Sequence, residues 1–161
     1  MHNYVNGTIS VNGVPFVFQD GVGYTEGDRG HSFPKLYAWT QSSFPGGALM
    51  LSVADIPLAG FHFTGVIGVI LWHGKEYRLA TYLGAKAIKI QEDEITVRQG
   101  RLCMTIMRQA QSGHPLCAPS LGAMVRTIHE HPSCKVYDRF VDGEKTLLEE
   151  VVPNAAFEYE Y

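Results

Sequence analysis

Charge is in short supply in this sequence. Only 18% of its 161 residues are Asp, Glu, Lys or Arg, against about 25% in an ordinary soluble domain. The 13 basic residues are scattered, and the net charge of −3 gives no electrostatic reason to expect nucleic acid or an anionic membrane. Cysteine is scarce too. Cys103, Cys117 and Cys134 cannot all pair within one chain, and no Cys-x-x-Cys spacing offers a thiolate zinc site. Three reduced, mostly buried thiols in a cytoplasmic protein are expected.

Long apolar runs are missing. Phe61 to Trp72 is shorter than the ~20 residues of a membrane helix, and it is interrupted by His62, Thr64, Gly65 and Gly68. It reads as a buried strand or strand pair, so no membrane span is expected. Met1-His2-Asn3-Tyr4 lacks the basic start and apolar core of a secretory leader. No segment sustains a 3.6-residue apolar period with caps at both ends.

What is present is turn chemistry between β-branched and aromatic segments. Asn12-Gly13 separates Thr8–Val11 from Val14–Phe18, and Asp142-Gly143 separates Lys135–Val141 from Lys145–Val152. Leu49–Ala54, Phe61–Trp72, Glu76–Tyr82, Ala87–Ile90, Ile95–Arg98, Leu102–Met107 and Met124–His129 read as further strands, with a loop at Ser112–Pro119 and a short last strand at Ala156–Tyr159. Thr146–Val152 also allows a turn or two of helix. Many short strands with 17 glycines to bend them predict an all-β, antiparallel, lipocalin-like barrel with little helix, in one domain over 1–161. Closure removes edge strands and gives a low-charge chain an interior to line.

The densest cluster of chemistry runs from Gly23 to Gln41. Its Gly-Tyr-x-Glu-x-x-x-Gly-x-Ser-Phe-Pro-x-x-x-x-Trp-x-Gln pattern resembles the tocopherol cyclase family. So do Leu51–Pro57, Phe61–Gly65, Tyr77–Tyr82 and Pro115–Glu130, the last with Arg126 and Ile128. The resemblance covers most of the chain and is to the C-terminal half of family members, which pair two lipocalin-like β-domains. The family usually has tryptophan where this chain has Arg29.

The resemblance implies a cofactor-independent reaction on a hydrophobic prenylated small molecule. An alkene is protonated to a tertiary carbocation, which a phenol oxygen captures in an intramolecular cyclisation, or water in a hydration. Such a step needs a carboxylic acid kept protonated by apolar surroundings, with aromatic faces near the cation. Asp55, between Ala54 and Ile56, is one candidate, and Glu26 and Asp28 are the others. Arg29 beside the latter two favours their ionised form, and a salt-bridged loop is the plainer reading of that trio. A strand-end residue capping the turn before Pro57 is the plainer reading of Asp55. Tyr24, His31, Tyr37, Trp39, Gln41, His62 and Arg126 are candidates for substrate contact. For His62 a hydrogen-bonded structural role competes, and for Arg126 a buried ion pair between strands. His129 and His131 lack a third ligand, so no metal is expected.

Two other classes stay open: a non-catalytic carrier of a lipid or other apolar ligand, and a half-domain that associates with a missing N-terminal half or with a second copy of itself.

Overall fold

The computed structural model describes residues 2–27 and 30–161. The strands are β1 (Asn3–Val11), β2 (Val14–Gly23), β3 (Tyr37–Phe44), β4 (Gly47–Leu58), β5 (Phe61–Trp72), β6 (Lys75–Ala80), β7 (Lys86–Gln91), β8 (Glu94–Gln99), β9 (Leu102–Arg108), β10 (His114–Ser120), β11 (Ala123–Asp142) and β12 (Lys145–Tyr159), with a 3-10 turn at Thr81–Leu83. No α-helix occurs among the described residues. The expected all-β, antiparallel class is what the chain adopts.

β1 and β2 form a ribbon of their own. The other strands make one sheet in the order β6-β5-β4-β3-β12-β11-β9-β8-β7, with β10 alongside β11. Asn12 and Gly13 turn the ribbon with φ of 51° and 81°, the left-handed pair a two-residue hairpin demands.

Several boundaries differ from the sequence expectation. Thr146–Val152 is strand, because it pairs with β11, while β3 takes up the far end of β12 from Ala156 to Tyr159. The expected loop at Ser112–Pro119 contains β10, which the sequence hides because His114-Pro115 and Pro119 carry turn signals. Met124–His129 and Lys135–Val141 belong to one strand of 20 residues. The register against β12 shifts between His131 and Val136, where Pro132 withdraws a donor and a bulge accommodates it. Phe61–Trp72 is a strand, but Phe61–Thr64 are exposed rather than buried.

Alternation sets the faces of the sheet. Ala38 and Phe44 of β3, Leu49, Leu51 and Val53 of β4, and Phe157 of β12 bury against one core cluster. Leu79 from β6, Ile95 and Val97 from β8, Met104 and Ile106 from β9, and Phe140 from β11 join the same cluster. The sheet therefore curves round a single core. Tyr77 of β6 meets Phe140 of β11 edge-on at 5.1 Å between ring centroids, although four strands separate them in sheet order. The backbone ladder does not close, since β6 and β7 end it. Near this seam the Gln99 side chain of β8 accepts from the Ala80 amide at 3.0 Å and donates to the Arg78 carbonyl at 3.1 Å.

The strands approach closely at Gly47. A Cβ there would lie 2.0 Å from the Leu71 carbonyl oxygen, so only glycine lets β4 start beside β5.

Inside the curve, the chain's own side chains take up the space. Phe140, Phe157, Leu49, Met104 and Leu148 are almost fully buried. Two charged side chains lie among them, Arg108 over the Phe157 ring and Asp138. Asp138 of β11 is 0% exposed, and neither carboxyl oxygen has a partner in hydrogen-bonding geometry among the described residues. Burial pushes its pKa up from 3.8 to about 7, tempered by the nearby Ser42 hydroxyl.

Candidate functional site

The face of the sheet opposite the core carries the larger hollow. Trp39 pairs with Ser52 on β4 and with Glu158 on β12. Their chain neighbours Ala38, Leu51, Val53 and Phe157 are core residues, so alternation turns Trp39, Ser52 and Glu158 outward. Residues 24–27 and 30–36 pass over them. Between sheet and segment is a cavity of about 650 Å³, with Glu26, Phe33, Pro34, Tyr37, Trp39 and Glu158 among its lining residues. A smaller hollow of about 200 Å³ shares Trp39 and Glu158 and continues to His131 and Phe157.

Hydrogen bonds fix the C-terminal part of this cover, residues 31–35. Phe33 donates its amide to the Pro119 carbonyl at 3.3 Å, and Gly122 donates to the His31 carbonyl at 2.7 Å. The Ser32 hydroxyl accepts from the Leu121 amide at 2.6 Å. Arg126 reaches from β11 to the carbonyls of Pro34 at 2.6 Å and Lys35 at 2.9 Å. Its guanidinium also pairs with Glu160 at 3.3 Å and lies 5.8 Å from the Tyr37 ring centroid. The planar fork of arginine suits this double carbonyl grip.

Two carboxylates face the cavity, in different surroundings. Glu26 is exposed and accepts hydrogen bonds from the Tyr24 hydroxyl and, at 3.2 Å, from the Trp39 indole N–H. Glu158 accepts from the Tyr37 hydroxyl at 2.6 Å. Burial raises the Glu158 pKa above the usual carboxylate range. The Tyr37 hydrogen bond opposes that shift, while the negative charges of Glu130, Glu160 and Glu26 add to it. Burial and the Glu158 carboxylate together hold the Tyr37 hydroxyl protonated far above the ordinary phenol range. Phe33 stands edge-on to Tyr37 at 6.0 Å, and Tyr24 is tilted against Trp39 at 6.2 Å. A partly desolvated carboxyl and a set of aromatic rings thus share one wall.

The sequence candidates divide on this geometry. Glu26, Tyr37 and Trp39 line the cavity, and Tyr24 stands behind Glu26. Arg126 positions the covering segment, and His31 contributes a backbone carbonyl to it. Gln41 lies further along β3 and bonds to Ser43. Asp55 and His62 are on the outward extension of β4 and β5, paired with each other at 2.7 Å and absent from the cavity wall. Asp55 is within β4, well before its end at Leu58, so it does not cap that strand's turn. Asp28, with its neighbour Arg29, lies outside the described residues. Arg126 forms an ion pair with Glu160, one residue past the end of β12 and only partly buried, rather than a buried pair between strands. No cluster of metal-binding side chains occurs among the described residues. Cys117 is exposed, unlike the expected buried thiol, while Cys134 is buried.

Glu158, Phe33, Pro34, Ser52 and Pro119 were not among the candidates. For Glu158 a signal existed: in Ala156-Phe157-Glu158-Tyr159 one residue of an alternating strand is charged between two aromatics. Comparison of the chain with known protein families, with curated proteins and with solved structures finds no match in any of the three.

Proposed function

We propose that this chain is a tocopherol cyclase-like protein that takes a hydrophobic prenylated small molecule into the cavity over Trp39 and protonates its alkene with Glu158. The observation that carries the reading is the Glu158 carboxyl itself: pushed towards its neutral form by burial, 2.6 Å from the Tyr37 hydroxyl, on a wall with Trp39. With Tyr37 donating to Oε2, the proton resides on Oε1. The O–H bond breaks as a C–H bond forms at the less substituted alkene carbon, leaving a tertiary cation that the faces of Trp39 and Phe33 stabilise. A phenol oxygen of the same molecule then forms the C–O bond and its proton returns to Glu158, so no atom is gained or lost. Water in place of the phenol gives hydration. Glu26, exposed and doubly hydrogen-bonded, serves to orient a substrate hydroxyl.

The same reading assigns the open sheet to the lipocalin-like barrels. In its support, one core is shared by strands from both ends of the ladder, and Gln99 spans between β8 and β6 near the seam. The guest lies on the outer wall, since the interior is filled.

The test is incubation with a prenylated hydroquinone and separation of the products. Cyclisation changes retention at constant mass, and Glu158→Gln abolishes it. Saturable binding without any product, in wild type and variant alike, replaces the enzyme with a carrier.

A second reading, self-association, is favoured by the β1–β2 ribbon. Tyr4, Ile9, Phe16 and Val17 are exposed at 75%, 54%, 49% and 67%. Phe16 and Val17 are consecutive and so face opposite ways, and Asp20 is the ribbon's sole charged residue. A lone ribbon of this kind is marginal in water, and packing against a second copy or another lipocalin-like unit would cover it. Sedimentation that shows a monomer at every concentration excludes the copy.

A further inference from the structure

One row of residues crosses the outer wall of the sheet. Glu130 of β11 is the ladder partner of Glu158 on β12, Glu158 of Trp39 on β3, and Trp39 of Ser52 on β4. Glu158, Trp39 and Ser52 line the larger cavity, and Glu130, Glu158 and Trp39 line the smaller hollow beside it. The row runs unbroken from one into the other.

Its two carboxylates are unfavourable neighbours. Side chains directly opposite on antiparallel strands have Cβ atoms about 5 Å apart, and like charges placed there destabilise the pairing. Glu130 and Glu158 are both half-buried, and the charges of Glu130, Glu160 and Glu26 all oppose ionisation of Glu158. Among the described residues neither Glu130, Glu158 nor Glu26 is in an ion pair. The basic side chains nearby do not supply one. Arg126 is spent on Glu160 and on the carbonyls of Pro34 and Lys35. His131 has a backbone carbonyl 3.1 Å from each ring nitrogen. His114, the ladder partner of Glu130 on its other side, is exposed and makes no ion pair with it. Lys35 is exposed on the cover and is not among the lining residues. Asp28 and Arg29 lie outside the described residues.

The polar hydrogens of the aromatic wall are committed as well. Tyr37 donates its hydroxyl to Glu158, and Trp39 donates its indole N–H to Glu26. These rings offer a guest their faces rather than their protons. An anionic head would meet repulsion here, and a neutral one would leave Glu130 and Glu158 opposed. A protonated amine answers every feature: it donates to carboxylates, cancels their repulsion and is attracted to an indole face. A bare metal ion would not, and no cluster of metal-binding side chains occurs among the described residues. We infer that this cavity binds an amphiphilic organic cation, with its ammonium group between Glu130 and Glu158 against Trp39 and its apolar tail along Phe33 and Pro34. The inference rests on the reading above only in taking the cavity as the ligand site; alkene protonation plays no part in it.

The experiment follows Trp39 emission in the full chain carrying Trp72→Phe, titrated at neutral pH with three ligands that share one tail. Decylammonium, decanol and decanoate are compared below micelle formation. Decylammonium is expected to bind about tenfold or more tighter than decanol, and decanoate weakest of the three. Glu130→Gln is expected to weaken decylammonium about fivefold, while unchanged decanol binding shows that the cavity is intact. Glu144→Gln makes the same charge change at the exposed turn before Lys145 and is expected to leave decylammonium binding unmoved. Decanol or decanoate binding as tightly as the amine overturns the inference. So does an amine affinity that ignores Glu130→Gln, or one that falls equally with Glu144→Gln, since general attraction to an acidic chain then explains it. Amine selectivity without turnover of a prenylated hydroquinone removes the reaction and keeps this ligand class; turnover without amine selectivity does the reverse.

Discussion

The Tyr37 hydroxyl, on the first residue of its strand, donates a 2.6 Å hydrogen bond to Glu158 near the end of the adjacent one. The bond lowers the Glu158 pKa against the upward push of burial. Tyr37→Phe is therefore expected to raise the pH at which Glu158 titrates, observed by carbon NMR of the carboxyl. A loss of about 1 kcal/mol of stability, typical of one hydrogen bond, should accompany it. A Glu158 titration that stays in place or moves down shows that the hydroxyl does not donate to it.

Asp138 gives a pH dependence of definite sign. Its pKa rises on folding from 3.8 to about 7, so the folded state favours the neutral acid. Stability is then greatest below the unfolded pKa and declines as pH climbs to about 7. Across that window the wild type is expected to lose on the order of 4 kcal/mol relative to Asp138→Asn. Denaturant melts of both proteins at pH 4 and pH 8 check this. The asparagine variant should be the less pH-sensitive of the two and the more stable relative to wild type at pH 8.

The architecture was legible in the sequence where alternation and turn chemistry agree. Asn12-Gly13 and Asp142-Gly143 mark hairpins that the structure contains. The extent of β11 was not legible, because Pro132 and Ser133 mimic a break and only pairing to β9 and β12 carries the strand through. β10 is concealed for a similar reason. The candidate site was half legible: Glu26, Tyr37 and Trp39 lie within one dense cluster, whereas Glu158 joins them from a strand more than a hundred residues away. Asp55 shows the converse. An apolar sequence neighbourhood does not place a side chain in an apolar space, and its strand extension carries it out to His62.

Arg126 acts at the covering segment through a geometry that lysine cannot reproduce. Arg126→Lys keeps the charge but gives up the simultaneous grip on Pro34 and Lys35. Faster hydrogen exchange across residues 31–37 is expected, together with about tenfold weaker binding of a prenylated ligand. Unchanged exchange in that segment rules out the positioning role.

Two of the three thiols should react in a set order. Cys117 is exposed and Cys134 buried, with burial pushing the Cys134 thiol up in pKa. Under native conditions a maleimide should label Cys117 first and Cys134 only after unfolding. Mass spectrometry of the partly labelled protein reads this directly.

The location of the ligand is open to one decisive measurement. The chain has two tryptophans, Trp39 on the cavity wall and Trp72 against Phe44 at the other end of the sheet. With Trp72→Phe, all tryptophan emission comes from Trp39, and titration with a prenylated hydroquinone is expected to change it saturably. An emission unmoved by ligand, with the converse Trp39→Phe protein responding through Trp72, would contradict a guest on the outer wall.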